Sequence, residues 1–323
     1  MRFGIEIGSQ NMKDIVRIAK AAEDAGFNTV WIADHVPAAQ WRDPFVSMTA
    51  IGLNTDYIRL GCGVANPYSR HIGITAVMYA SMVELLGERF VLGIGAGGTL
   101  PLKPLEIEMW NKPVTALRES IKILRKFFKG EKVDYEGKVV SLRNTQLFDK
   151  YDIPIYIGTR GPTLSKLAGE YADGIILNPP IAALSKYLDK VQEGMKKSGR
   201  SDFEVVEFLP VGISEDGNYE SVKPTVALLI PTTPNWALEM MDAMAPAEKI
   251  REMLNIDRSK APELVPDRLV TDFAIAGDVK SCQEQIEAIE SEVDELVALS
   301  PKRASDCLDM IKTFEKEIIP SFG

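Results

Sequence analysis

Short apolar runs alternate along the chain with longer segments whose apolar residues recur every three or four positions. The first run, Arg2–Gly8, carries one acid, Glu6. It precedes the helical spacing of Ile15, Ile18, Ala19 and Ala22, which Gly26 closes. Asn28–Ala33, Ile58–Val64 and Arg89–Gly95 are further apolar runs. Each is followed by a segment of helical character: Pro44–Leu53, Ile72–Leu86 and Val114–Phe128. This alternation predicts parallel strands joined by right-handed crossovers. Lys132–Leu142 interrupts it. Its alternation around Glu136-Gly137 predicts a surface hairpin, a small insertion over about residues 130–148.

Strands are expected again at Ile153–Ile157, Gly174–Leu177 and Glu204–Ile213, with helices at Thr163–Tyr171 and Ile181–Lys197. Tyr219–Ile256 holds more helix than one crossover needs, so extra helices are expected over about residues 215–268. Thr271–Ala276 leads into a helix at Asp278–Ser291, and Asp294–Ala298 and Ala304–Ile319 form the last strand and helix. Eight strand–helix units in 323 residues predict a single α/β domain, residues 1–323. A (β/α)8 TIM barrel with insertions is favoured over an open doubly wound sheet.

Composition narrows the partners. Asp plus Glu outnumber Lys plus Arg by 46 to 37, a net charge of −9, which speaks against nucleic acid and against an anionic membrane surface. An anionic ligand then needs a local positive site. The three cysteines are dispersed and no Cys/His cluster is present, so no disulfide framework and no metal site is expected. The chain begins directly on a strand and has no long apolar run, which fits a cytoplasmic protein.

Chemistry in such a barrel gathers at the C-terminal ends of the strands. The residues there are Glu6, Asp34 with His35, Gly63-Val64-Ala65-Asn66, Gly95-Ala96-Gly97-Gly98, Gly158-Thr159-Arg160-Gly161-Pro162 and Asn178. Asp34 and His35 end a buried strand; they either cap it or handle protons, and His35 is one of only two histidines. The glycines after the fourth strand form a wide turn or let backbone approach a flat ligand. Gly158–Thr163 opens a helix, where free N–H groups and Arg160 make either an anion site or a simple cap. His71 reads as structural or rim-lining, Trp41 as a pocket wall or loop packing. Met78, Met82, Met240, Met241 and Met244 read as filler.

Several segments resemble the bacterial luciferase-like superfamily, and within it the coenzyme F420-dependent branch that includes the methylenetetrahydromethanopterin reductases. They are Arg2–Ile7, Ala33–His35, Leu60–Tyr68, Arg89–Gly95, Lys112–Val114, Ile155–Gly158 with Gly161-Pro162, and Ala172–Gly174. The resemblance implies a TIM barrel, usually a homodimer, holding the deazaflavin at its C-terminal rim and acting on a small-molecule substrate. It implies Asp34 and His35 beside the deazaflavin ring, with Gly63–Val64 a non-prolyl cis peptide beneath it. Gly158–Gly161 would lie at the phosphate and Glu6 near the reacting centre. His35, Glu6 and Asp34 are thus the catalytic candidates. Asp34, Gly63, Val64, Asn66, Gly97, Gly158, Thr159, Arg160, Gly161 and Asn178 are the cofactor-binding ones. One position departs from the branch: its acid after the strand-4 glycines is replaced here by Gly98. Two alternatives stand beside hydride transfer with F420, namely an FMN-dependent monooxygenase and a barrel that has lost its site.

Overall fold

The computed structural model describes residues 1–35, 41–98, 102–108 and 112–322. Numbered along the chain, the strands are β1 (Arg2–Ile7), β2 (Thr29–Ile32), β3 (Arg59–Ala65), β4 (Phe90–Gly95), β5 (Val133–Glu136), β6 (Ser141–Thr145), β7 (Ile155–Thr159), β8 (Gly174–Leu177), β9 (Glu204–Ile213), β10 (Ile275–Gly277) and β11 (Glu295–Leu299). Eight of them, β1 to β4, β7 to β9 and β11, are parallel neighbours. They close into a barrel where β8 meets β9, β9 meets β11 and β11 returns to β1. β5 and β6 form the expected antiparallel hairpin. β10 pairs with the tip of β9, beyond the residues that pair with β11.

Around the barrel run α1 (Met12–Asp24), α2 (Pro44–Gly52), α3 (Ile72–Leu86), α4 (Pro113–Phe128), α5 (Pro162–Tyr171) and α6 (Leu184–Ser198). The extra helices are α7 (Lys223–Leu229), α8 (Asn235–Met240), α9 (Met244–Ile256) and α10 (Asp267–Phe273), and α11 (Val279–Ile289) and α12 (Ala304–Thr313) complete the ring. Short polar side chains start several of these helices: Asn11 accepts from the Asp14 amide, Asp43 from Phe45 and Val46, and Asp278 from Ser281. Helices α7 to α10 have a core of their own, including Val226, Ile230, Leu238, Ile250 and Leu269.

Two boundaries differ from the sequence reading. Thr271–Phe273, expected to lead into strand, finishes α10, because Leu269, Val270 and Phe273 turn together into the extra core. The last helix stops at Thr313 and a π turn follows over Phe314–Ile318. Phe314 there packs on Phe3 and Phe27, with ring centroids 5.8 and 5.2 Å apart.

Inward and outward residues alternate strictly. Trp31, Val91, Tyr156, Ile176, Val206, Phe208 and Val297 fill the lumen. Trp31 lies across Gly61, where any Cβ would come within 2.3 Å of the indole. Above this layer the Gly63–Val64 peptide is cis, and the β3–β4 register shifts between Cys62 and Ala65. Val64 therefore crosses the mouth and rests on Gly95 and Gly158, where a Cβ would stand 2.6 and 2.5 Å from its methyls. Below the Trp31 layer, Arg2 and Arg59 meet Glu204, and Glu295 accepts from Trp31 Nε1 at 2.8 Å and Thr29 Oγ1 at 3.2 Å.

On the outside, α2 contains no charged residue and α3 only Glu84, which is held by the Tyr151 hydroxyl. Val46, Leu53, Ile74, Val77 and Leu85 are exposed on these two helices. A helix apolar on every side is normally covered on every side.

Candidate active site

Asp34 ends β2 at the mouth and is 3% exposed. Arg70, from the loop after β3, grips it through Nη1, while Nη2 binds Asp43 at 2.5 Å and the guanidinium lies over Phe45, 4.9 Å from the ring centre. Burial raises the Asp34 carboxyl above its ordinary range, outweighing the opposing Arg70 charge, and Asp43 adds to the rise. Asp34 is thus a fixed, internally paired group.

His35 follows it, half-buried, with its ring 5.2 Å edge-on from Trp41. Trp41 in turn lies on Gly8, which at φ 146° with Trp41 Cε3 2.6 Å from any Cβ admits no side chain. Trp41 is therefore a wall of the mouth. Burial, and then the Arg160 charge, lower the His35 imidazole from its ordinary value, so it is neutral at pH 7.

Glu6 alternates inward with Gly4 on β1, at the level of Leu299 on β11. Its carboxyl has no hydrogen bond or ion pair among the described residues. Burial without a partner pushes it up to about 8. The mouth thus holds one acid that keeps its proton at neutral pH.

On the β3–β4 side, Asn66 Oδ1 accepts from the Tyr68 and Ser69 amides at 3.0 and 2.8 Å, shaping a turn. Gly97 lies against Tyr68 and Asn66 in a left-handed conformation, φ 71°. The Tyr68 and Ser69 hydroxyls are buried without partners among the described residues. His71 caps α3, its Nδ1 accepting from the Gly73 amide at 3.2 Å, which settles it as structural.

On the β7–β8 side, Gly161 opens α5 with no side-chain cap, and Thr159 Oγ1 accepts from its amide at 3.0 Å. Arg160 does not fold over this helix start. It reaches sideways to Thr232 Oγ1 at 2.7 Å and to Asn178 Oδ1, while Asn178 Nδ2 donates to the Phe208 carbonyl. Glu6, Asp34, His35, Val64, Gly158 and Asn178 therefore ring one mouth, with Asn66 and Gly97 on one shoulder and Thr159 to Gly161 on another. Sequence reasoning missed Arg70 and Asp43, the ion pairs that hold Asp34, and Glu207, a buried acid on β9. An arginine closing the strand-3 loop opposite two acids was the available sign. Among the described residues no group of three or more His, Cys, Asp or Glu is arranged to hold a metal ion.

A closed parallel barrel with this mouth defines a class, and residues 1–295 match the luciferase-like monooxygenase family, to which the chain belongs. Within it, the chain is 33% identical to the 5,10-methylenetetrahydromethanopterin reductase of Methanolobus tindarius, over 99% of this chain and 100% of that protein. The coenzyme F420-dependent tetrahydromethanopterin reductase structure from Methanopyrus kandleri superposes with a TM-score of 0.91 at 30% identity, covering 100% of this chain and 99% of that one. The F420-dependent glucose-6-phosphate dehydrogenase of Microbacterium testaceum is 27% identical over 99% of this chain and 97% of that protein.

Proposed function

We propose that the chain is an F420-dependent oxidoreductase that transfers a hydride between the deazaflavin and a small organic substrate at the barrel mouth. A methylene-bridged pterin, as in the names of its reductase relatives, is the first substrate to try. The observation that carries the reading is Glu6: a desolvated, unpaired carboxyl aimed into the mouth of a barrel otherwise plugged by apolar side chains.

The residues fit such a coenzyme. Val64 over Gly95 and Gly158 makes a flat apolar floor, the Tyr68 and Ser69 hydroxyls lack partners, and the start of α5 is uncapped beside Arg160. When bound, the deazaflavin supplies hydride exchange at a ring carbon. Glu6 holds a proton on its carboxyl and delivers or withholds it at the substrate. Arg70 holds Asp34 in place at the mouth, where the carboxylate would help orient the coenzyme. His35, neutral and braced by Trp41, orients the reacting pair. Gly98 offers no second carboxyl, so proton handling falls to Glu6.

The outer faces of α2 and α3 support a homodimer, each protomer covering the other's apolar stripe. The net acidity argues for no nucleic-acid or membrane partner, and no described helix is long and apolar enough to cross a membrane. A cytoplasmic setting is proposed on the same grounds. Fluorescence titration of the protein with F420 and with FMN at matched ionic strength tests the reading. F420 binding followed by hydride transfer is expected. Binding of FMN alone would promote the monooxygenase, and binding of neither would leave a barrel without catalysis.

A further inference from the structure

Glu207 is 1% exposed, and among the described residues neither of its carboxylate oxygens has a hydrogen-bond partner. It faces outward from β9, since its neighbours Val206 and Phe208 fill the lumen. The strand register puts Leu177 of β8 between Glu207 and Thr159 of β7. The next residue, Arg160, is the cation whose charge acts on Glu207. Arg160 is the opposite case. It is exposed and held outward by two neutral acceptors, Thr232 and Asn178, with no ion pair to a carboxylate among the described residues, in a chain with 46 acids. Its backbone is pinned, because the Arg160 carbonyl accepts from the Tyr187 hydroxyl at 3.1 Å. Only the side chain is left to turn. A buried carboxyl without a partner and a cation held by neutral groups, one strand apart, form an incomplete pair. Coulomb attraction draws them together, and desolvation of the guanidinium opposes it.

We propose that Glu207 is a positioning residue for the anion site at the rim. It competes with a bound phosphate or carboxylate for Arg160. The anion adds to the hold of Thr232 and Asn178 on the outward guanidinium; without it, an ionised Glu207 draws Arg160 inward. The site takes the anionic tail of the cofactor, and that assignment rests on the F420 reading, whereas the competition itself does not.

The charged and titratable groups acting on or near Glu207 are Arg160, just after β7, and the Tyr187 hydroxyl from α6, while Asn178 and Thr232 hold Arg160. Burial pushes Tyr187 up to about 12 and Glu207 well above the carboxylate range. His35, also within the Arg160 field, is shifted down. Ionisation of Glu207 on raising the pH therefore strengthens the competitor. Glu6, at about 8, also titrates as the pH is raised, so measurements are made in the Glu6→Gln background.

Inorganic phosphate binding by calorimetry and F420 binding by fluorescence are followed from about pH 6.5 to about pH 9.5. Affinity for both is expected to fall about tenfold as the pH rises. Glu207→Gln should bind as tightly at high pH as at low, Glu207→Asp should keep the dependence, and Arg160→Gln should lose both affinity and dependence. Should Glu207→Gln fail to fold, Arg160→Gln decides: a flat profile supports the competition and an unchanged one overturns it. Equal pH profiles for the parent and Glu207→Gln with both probes also overturn it. A Glu207-dependent phosphate profile without F420 binding upholds the competition and sinks the cofactor reading instead.

Discussion

The two ends of the barrel use the same register, and similar acids, to opposite effect. At the N-terminal end, Glu204 binds Arg2 at 2.6 Å and Arg59 at 3.4 Å, and Glu295, though fully buried, accepts from Trp31 and Thr29. At the C-terminal end, among the described residues, both carboxylate oxygens of Glu207 lack a partner and burial alone shifts Glu6. Burial raises both Glu295 and Glu6 from their ordinary values. A raised carboxyl therefore does not by itself mark function. The lack of a hydrogen bond separates the two: Glu295 is paired below, while above, where Asp34 is held by Arg70, Glu6 has no partner among the described residues.

The largest expected break in this contrast is Glu6→Gln. It should lower hydride transfer by about 10²–10⁴-fold, with cofactor affinity little changed, measured by separating kcat from binding in single-turnover experiments. Activity within a few-fold of the parent would remove Glu6 from the mechanism. Next comes Glu295→Ala. Stranding the Trp31 N–H and the Thr29 hydroxyl in the core should cost about 3–5 kcal/mol, read by denaturant unfolding, and the surviving folded fraction should still bind cofactor. A loss of binding without a loss of stability would erase the distinction between the ends.

The smallest effect is the pH dependence of stability. Glu6 keeps its proton in the folded state up to about 8, while the unfolded chain loses it near the ordinary 4.5. Its contribution is thus complete below 4.5 and lost as the pH rises through 8. Glu204, lowered by the Tyr156 hydrogen bond and the two arginines despite its burial, works in reverse: its contribution is present above its unfolded value and lost as the pH falls through the folded one. Melting temperatures should therefore decline between about pH 5 and about pH 8, less steeply in Glu6→Gln, with a separate acid limb in both.

Alternation of apolar runs and helical spacing was enough to read the eight barrel strands, the hairpin and the rim positions of Glu6, Asp34, His35 and Asn178. These follow from chain order, since every parallel strand ends on the same side. What chain order does not carry is which long side chains meet across the rim. Arg70 lies 36 residues from Asp34, and Arg160 bends away from its own helix toward Thr232, 72 residues on. Glu207 was hidden for a related reason. Glu204 and Glu207 sit three positions apart on one strand, so one faces the lumen and the other the helices. The sequence reading expected one strand over Glu204–Ile213 and did not separate the surroundings of its two acids.

The Trp31 layer has a consequence for traffic. Trp31 spans Gly61 and packs on Tyr156 and Phe208, with ring centroids 6.2 and 5.6 Å away, so the lumen is floored beneath the mouth. Two ligands sharing such a well queue. Whichever sits deeper would enter first and leave last, and the outer one would have to clear the mouth before the inner could exchange. On the proposed two-ligand reading, steady-state kinetics should be ordered, with the outer ligand a brake on release of the inner and turnover slowing at high outer-ligand concentration.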